Sequence, residues 1–263
     1  LACALPMSLG NALAQYETPM PVPATTSVPQ LHRAAIMRAA VERFHMGLAA
    51  LDRRNYAEAR THFAAIVALD PPEPQGSTAH YDLAIAQAHL GDLQGAAQSL
   101  HLAIDADPGF LAAMANLIAV DLRLGNVRDA RTTADRFVSL APDSARALYS
   151  RGLVALQSND YAVARDDFSK LLRSDPQYAI AHYDLGLAES KLGHYNEAQR
   201  EFASAVDLAP SYARARFALG TVLLRSGDRN AARAAFDRAA RDASDDPSLR
   251  DLAIEMRNAI GSP

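Results

Sequence analysis

Apolar and polar positions along residues 179–212 alternate with the period of a helix, not of a strand. In HYNEAQREFASAVDLAP, the residues Tyr195, Ala198, Phe202 and Ala205 recur at intervals of three and four, which lays them along one face of a 3.6-residue turn. The preceding AIAHYDLGLAESKLG carries Leu185, Leu187 and Leu192 on a second such pattern, and Gly193 between the two reads as a helix stop. The stretch predicts two antiparallel helices joined by a short turn.

The same pair recurs along the chain. One first-helix slot holds Gly47, Ala84, Ile118, Gly152, Gly186 and Gly220, at intervals of 37, 34, 34, 34 and 34 residues. A second-helix slot holds Ala59, Ala96, Ala130, Ala164, Ala198 and Ala232 at the same intervals, and Pro71, Pro108, Pro142, Pro176 and Pro210 keep the register. The longer first interval has a local cause, since PEPQG at 72–76 adds three residues to one turn. The repeats are 40–73, 77–110, 111–144, 145–178, 179–212 and 213–246. The Gly and Ala slots are small because paired helices cross closely there, where a larger side chain would cost about 1–3 kcal/mol. Residues 30–39 extend the first helix. Asp246-Pro247 is an N-cap and first-turn pair opening a capping helix over 247–263, with Leu249, Leu252, Met256 and Ile260 as its apolar stripe.

Leu185-Gly186, Gly193, Tyr195, Ala198, Phe202, Ala205 and Pro210 spell L-G…G-x-Y-x-x-A…F…A…P. This pattern, with its period of 34, resembles the tetratricopeptide repeat. Gly152, Tyr161, Ala164, Phe168 and Pro176, and Gly47, Tyr56, Ala59, Phe63 and Pro71, carry it in two further repeats. Repeat 111–144 departs with Ile118, Val127 and Ala134, and repeat 213–246 with Arg229 and Ser244. The resemblance covers 40–246. It implies an all-α fold: a right-handed superhelical solenoid of six helix-turn-helix (TPR) repeats with a C-terminal capping helix, forming one repeat domain over 30–263.

The resemblance also implies a concave groove lined by positions 2, 5, 6, 9, 12 and 13 of each first helix. Transferred by position, the fifth is Phe44, Tyr81, Ala115, Tyr149, Tyr183 and Phe217. Its five aromatic rings form a candidate ladder for a partner segment; packing between neighbouring repeats is the other reading. Asn116 at the sixth position, with Arg123, Arg146, Lys191, Arg214 and Arg225 at positions 2 and 13, gives polar and basic groups suited to a partner carrying acidic ones. Family members that clamp the C-terminal carboxylate of chaperones use Lys, Asn and Arg at positions where this chain has aromatic and aliphatic residues. It therefore departs from that pattern.

Composition narrows the function further. Ala is about one residue in five, Trp is absent, and 26 Lys+Arg against 30 Asp+Glu leave a formal charge of -4, so nothing points to phosphate neutralisation and nucleic acid. Cys3, as the single cysteine, excludes an internal disulfide framework. No nucleophile elbow, zinc-binding H-E-x-x-H or phosphate-cradling glycine loop occurs. His80 and His182, each opening a His-Tyr-Asp-Leu tetrad, read as packing residues at position 4 of repeats three apart. The expectation is a non-enzymatic protein with no metal or cofactor.

At the N-terminus, LACALPMSLG is apolar enough for the core of a secretory signal, and Ala12-Leu13-Ala14 is a cleavage box. Residues 1–14 then read as a signal-peptide remnant, and 15–29, rich in Pro and Thr, as an extended tether. Two alternatives remain: lipidation at Cys3, because Leu1-Ala2-Cys3 resembles the end of a lipoprotein box, and a cytoplasmic leader. Leader, tether and repeats together resemble small bacterial envelope proteins of pilus, secretion or exopolysaccharide assembly, such as the Flp (tight adherence) pilus component. That implies an interaction scaffold in the periplasm or at the outer membrane. The competing functions are a structural subunit using its convex face and an accessory module of an enzyme.

Overall fold

The computed structural model describes residues 28–69 and 75–261. Residues 1–27, with Cys3 and the predicted cleavage site, and Pro71 in the first inter-repeat turn lie outside them. Among the described residues the fold is all-α. It begins with α1 (Val28–Asp52) and α2 (Tyr56–Val67), then α3 (Gln75–His89) and α4 (Leu93–Ala106). There follow α5 (Leu111–Leu124) and α6 (Val127–Leu140), α7 (Ala145–Gln157) and α8 (Tyr161–Ser174), then α9 (Ala179–Leu192) and α10 (Tyr195–Leu208). The last hairpin is α11 (Ala213–Arg225) and α12 (Arg229–Asp242), and α13 (Pro247–Ala259) ends the series. The first helices α5, α7, α9 and α11 start 34 residues apart, as do the second helices α4, α6, α8, α10 and α12. The chain divides within α6 into two compact units, Leu1–Ala130 and Arg131–Pro263.

In four of the hairpins one large ring on the second helix enters a gap on the first. A methyl group built on Gly47 would lie 2.7 Å from the Phe63 ring; on Gly152, Gly186 and Gly220 it would lie 2.5, 2.7 and 2.9 Å from Phe168, Phe202 and Phe236. The glycines are therefore set by ring volume and not only by helix spacing. Where the ring shrinks to Leu100, the gap can hold Ala84. In the third repeat the residues at these two sequence positions are Ile118 and Ala134, and the aromatic residue comes three positions later, at Phe137. The six alanines of the second-helix slot are all fully buried.

Every turn between paired helices passes through a left-handed residue: Arg54, Gly91, Gly125, Asn159, Gly193 and Gly227, with φ between 57° and 89°. Glycine adopts this conformation without a Cβ clash and arginine does not. Asn55, Asp92, Ser144 and Asp228 cap α2, α4, α7 and α12 through side-chain hydrogen bonds. By contrast, α5, α9 and α11 have Phe110, Tyr178 and Tyr212 at the N-cap, with no side-chain cap bond. Those helices forgo a cap contribution of about 1 kcal/mol and place an aromatic ring beside the preceding first helix.

In the first unit, Ala40, Phe44, Leu48, Phe63, Ile66, Ala79 and Leu83 form one apolar cluster across α1, α2 and α3. In the second, Leu148, Phe168, Leu171 and Leu185 do the same across α7, α8 and α9. At its C-terminal end, Phe236 packs with Ile260, Met256 and Phe217. The capping helix is rotated from the predicted stripe: Ala253 is buried and Leu252 is 44% exposed, so the inner face runs through Ala253, Met256 and Ile260. Arg229, which replaces the usual tyrosine, donates to the Ile260 carbonyl at 2.7 Å. It thereby satisfies a carbonyl left open at the end of α13.

Candidate binding face

The ladder rings sit on the first helices and are held in two different ways. In the first unit, Phe44 is fully buried and meets Phe63 edge-on with centroids 5.9 Å apart. Tyr81, 2% exposed, packs on Phe110 at 4.9 Å. In the second unit, Tyr149, Tyr183 and Phe217 are only partly buried. Tyr149 lies against Phe168 at 5.8 Å and Tyr178 at 5.4 Å, and Tyr183 against Phe202 at 5.8 Å and Tyr212 at 5.1 Å. Phe217 lies against Phe236 at 5.2 Å. Every ladder ring thus packs inside its unit, and three of them also keep a solvent-facing surface.

The basic residues divide as well. Arg123, Arg146 and Lys191 are exposed, whereas Asn116 is buried. Arg214 pairs with Asp246, the N-cap of α13, at 3.1 Å. Arg225 donates to the Tyr195 hydroxyl at 2.7 Å and stacks its guanidinium 4.3 Å from the ring centroid. A related contact joins Tyr56 to His89, stacked with centroids 4.1 Å apart. In these two repeats the repeat tyrosine therefore receives position 13 of the following repeat, a contact that spacing alone did not reveal.

Two buried carboxyls stand at the sixth position, both within the His-Tyr-Asp-Leu tetrads. Asp184 is 6% exposed and accepts a hydrogen bond from the Tyr149 hydroxyl at 2.9 Å. Burial raises its pKa to about 6 against the pull of that bond. Asp82 is 1% exposed, its Oδ1 has no hydrogen-bond partner, and burial pushes its carboxyl up to about 8. Asp82 is the more deeply buried of the two, and it also lacks a donor. The residue one repeat earlier that gives Asp184 its donor is Tyr149; for Asp82 the corresponding residue is Phe44, which has no hydroxyl. Burial raises the pKa of both Tyr212 and Tyr183, and Asp184 adds to each shift.

Two further polar clusters are paired within the second unit. His182 contacts Glu201 at 2.6 Å and the Pro176 carbonyl at 3.1 Å, in line with a packing role. A cavity of about 180 Å³ is lined by Arg131, Asp135, Arg151, Val154, Ala155 and Val163. Arg151 there is held by both Asp167 oxygens at 2.7 and 2.8 Å, and Arg131 by Asp160 at 3.3 Å. Among the described residues no group of three His, Cys, Asp or Glu could hold a metal ion, and no helix is long and apolar enough to cross a membrane.

Helical hairpins repeated every 34 residues and locked ring-into-gap define a non-catalytic helical-repeat scaffold. The tetratricopeptide repeat family model matches residues 44–109, 120–179 and 183–247, and the chain belongs to that family. No curated protein matches it in sequence. Among solved structures, a tetratricopeptide repeat protein from Parabacteroides merdae aligns over 86% of this chain and all of its own, at 19% identity and TM-score 0.68. MamA from Desulfovibrio magneticus aligns over 65% of this chain and 97% of its own, at 22% identity and TM-score 0.60. YrrB, described as a TPR protein with an unusual peptide-binding site, aligns over 73% and 97%, at 16% identity and TM-score 0.57. At these identities the likeness is one of fold.

Proposed function

We propose that this protein is an assembly scaffold that binds an extended segment of a partner protein along the first-helix face of its second unit. The observation that carries the reading is the surface left open on Tyr149, Tyr183 and Phe217, three aligned rings already fixed by intramolecular stacking. A fixed ring loses little entropy on binding, which is why such residues anchor interfaces. Arg146 and Lys191, both exposed, supply cations for acidic groups of the partner and act mainly on its rate of arrival. YrrB, of the same fold, is named for a peptide-binding site, which agrees with this use of the face.

The test is a photo-crosslinking residue introduced at Leu187 on α9, with one at Arg200 on the exposed side of α10 as its counterpart. Crosslinking of a partner from the first position alone supports the reading, and crosslinking from the second alone overturns it. We further place the protein in the bacterial envelope, as a component of a pilus, secretion or exopolysaccharide machine. The support is the apolar start, the Ala12-Leu13-Ala14 box and the Pro-rich stretch that follows. Exported material should begin at Gln15; an acylated Cys3 would instead make it a lipoprotein, and retention in the cytoplasm would contradict the placement.

A further inference from the structure

We infer that Asp184, with Tyr149, Tyr183 and Tyr212 around it, is a subsite for the cationic side chain of a lysine or arginine in the bound segment. This deepens the proposed function and rests on it. Asp184 is a carboxylate with room for several donors, yet the Tyr149 hydroxyl is its one side-chain hydrogen-bond partner among the described residues. Arg214, close enough to influence Tyr183 and Tyr212, is committed to Asp246 at 3.1 Å. The buried negative charge thus lacks a counter-ion within its own unit.

The surroundings suit a cation. Two tyrosine pairs, Tyr149 with Tyr178 and Tyr183 with Tyr212, lie on the helices that carry and flank Asp184. Aromatic faces attract ammonium and guanidinium groups, most strongly where water is excluded. A desolvated carboxylate then gains a partner that offsets the cost of its burial. The other carboxyl in this slot makes the contrast. Asp82 also has a ring pair, Tyr81 with Phe110, but Phe44 gives it no hydroxyl, it is closed from solvent, and burial favours its neutral form. It is packed as an uncharged group and offers no second subsite.

The test uses the full chain and blocked peptides with one central residue, lysine, arginine, norleucine, glutamine or glutamate, between fixed leucine and tyrosine residues, read by fluorescence anisotropy. Lysine and arginine should bind at least about tenfold more tightly than norleucine, which matches the side chain without its charge. Asp184→Asn should close that gap. Tyr149→Phe, which keeps the carboxyl but removes its donor, should narrow it. Equal binding of lysine and norleucine, a preference for glutamate, or a gap that survives Asp184→Asn overturns the subsite and leaves the binding face standing. Failure of every peptide to bind overturns both.

Discussion

Phe44 and Tyr149 occupy the same slot of the repeat and differ by one oxygen atom, which gives Asp184 a hydrogen-bond donor that Asp82 lacks. Burial raises both carboxyls, that of the more deeply buried Asp82 to about 8 and that of Asp184, against the pull of the Tyr149 hydroxyl, to about 6. The consequence for stability has a definite sign. A carboxyl whose folded pKa lies above its unfolded value, near 3.8 here, keeps its proton in the native state and loses it on unfolding. Its contribution is full below about pH 4 and is lost as pH rises toward 8. Asp82→Asn should therefore gain stability relative to the wild type between pH 4 and pH 8, read as diverging urea midpoints. Parallel midpoints would show that Asp82 ionises freely. Phe44→Tyr should reduce the same pH slope by supplying the missing donor. The His-Tyr-Asp-Leu tetrads are visible in the sequence. Nothing local to Asp82 or Asp184 says how far each carboxyl is raised, because the depth of burial and the Tyr149 donor are both supplied by other parts of the chain.

At the scale of the helical hairpin, the pairing of Gly186 with Phe202 sets two rules against each other. Alanine is the better helix former, by about 1 kcal/mol over glycine. Its methyl group, however, would stand 2.7 Å from the ring, and overpacking costs about 1–3 kcal/mol. Gly186→Ala should destabilise by chemical denaturation, and Phe202→Leu, which recreates the Ala84 and Leu100 pair, should restore part of the loss. Additive effects of the two substitutions would place the glycine's constraint elsewhere. These slots were legible because size exchange leaves a trace at fixed spacing. The turn slot was only partly so: Arg54 and Asn159 hide a left-handed position that glycine marks in the other repeats. The ladder was legible as a row of rings but not as a surface. Tyr81, Tyr149 and Tyr183 are met by the Phe110, Tyr178 and Tyr212 rings at the next helix starts, positions that capping rules would fill with polar residues. Arg214 and Arg225 read as binding cations for the same reason, since Asp246 and Tyr195 reach them from distant parts of the chain.

On the scale of the whole molecule, repeat stacking exposes an apolar end unless the last hairpin is covered. Phe236 and its neighbours are covered by Met256 and Ile260 of α13, and Arg257 ties that helix to Asp237 at 3.0 Å. Deleting 247–263 should uncover this surface and produce association whose mass by light scattering rises with concentration. A monomer of unchanged stability would mean that the end is closed by other means. The binding account rests on the distinction between rings that only pack and rings that pack and also face solvent. It is tested most directly by the affinity of Tyr183→Ala for the partner segment found by crosslinking, with helical content followed alongside. The account predicts at least about a tenfold loss, in keeping with an aromatic anchor worth about 2 kcal/mol, in a chain that remains folded. Unchanged affinity would contradict it, as would loss of the fold itself, and would assign Tyr183 to the interior packing that already holds Phe44 and Tyr81.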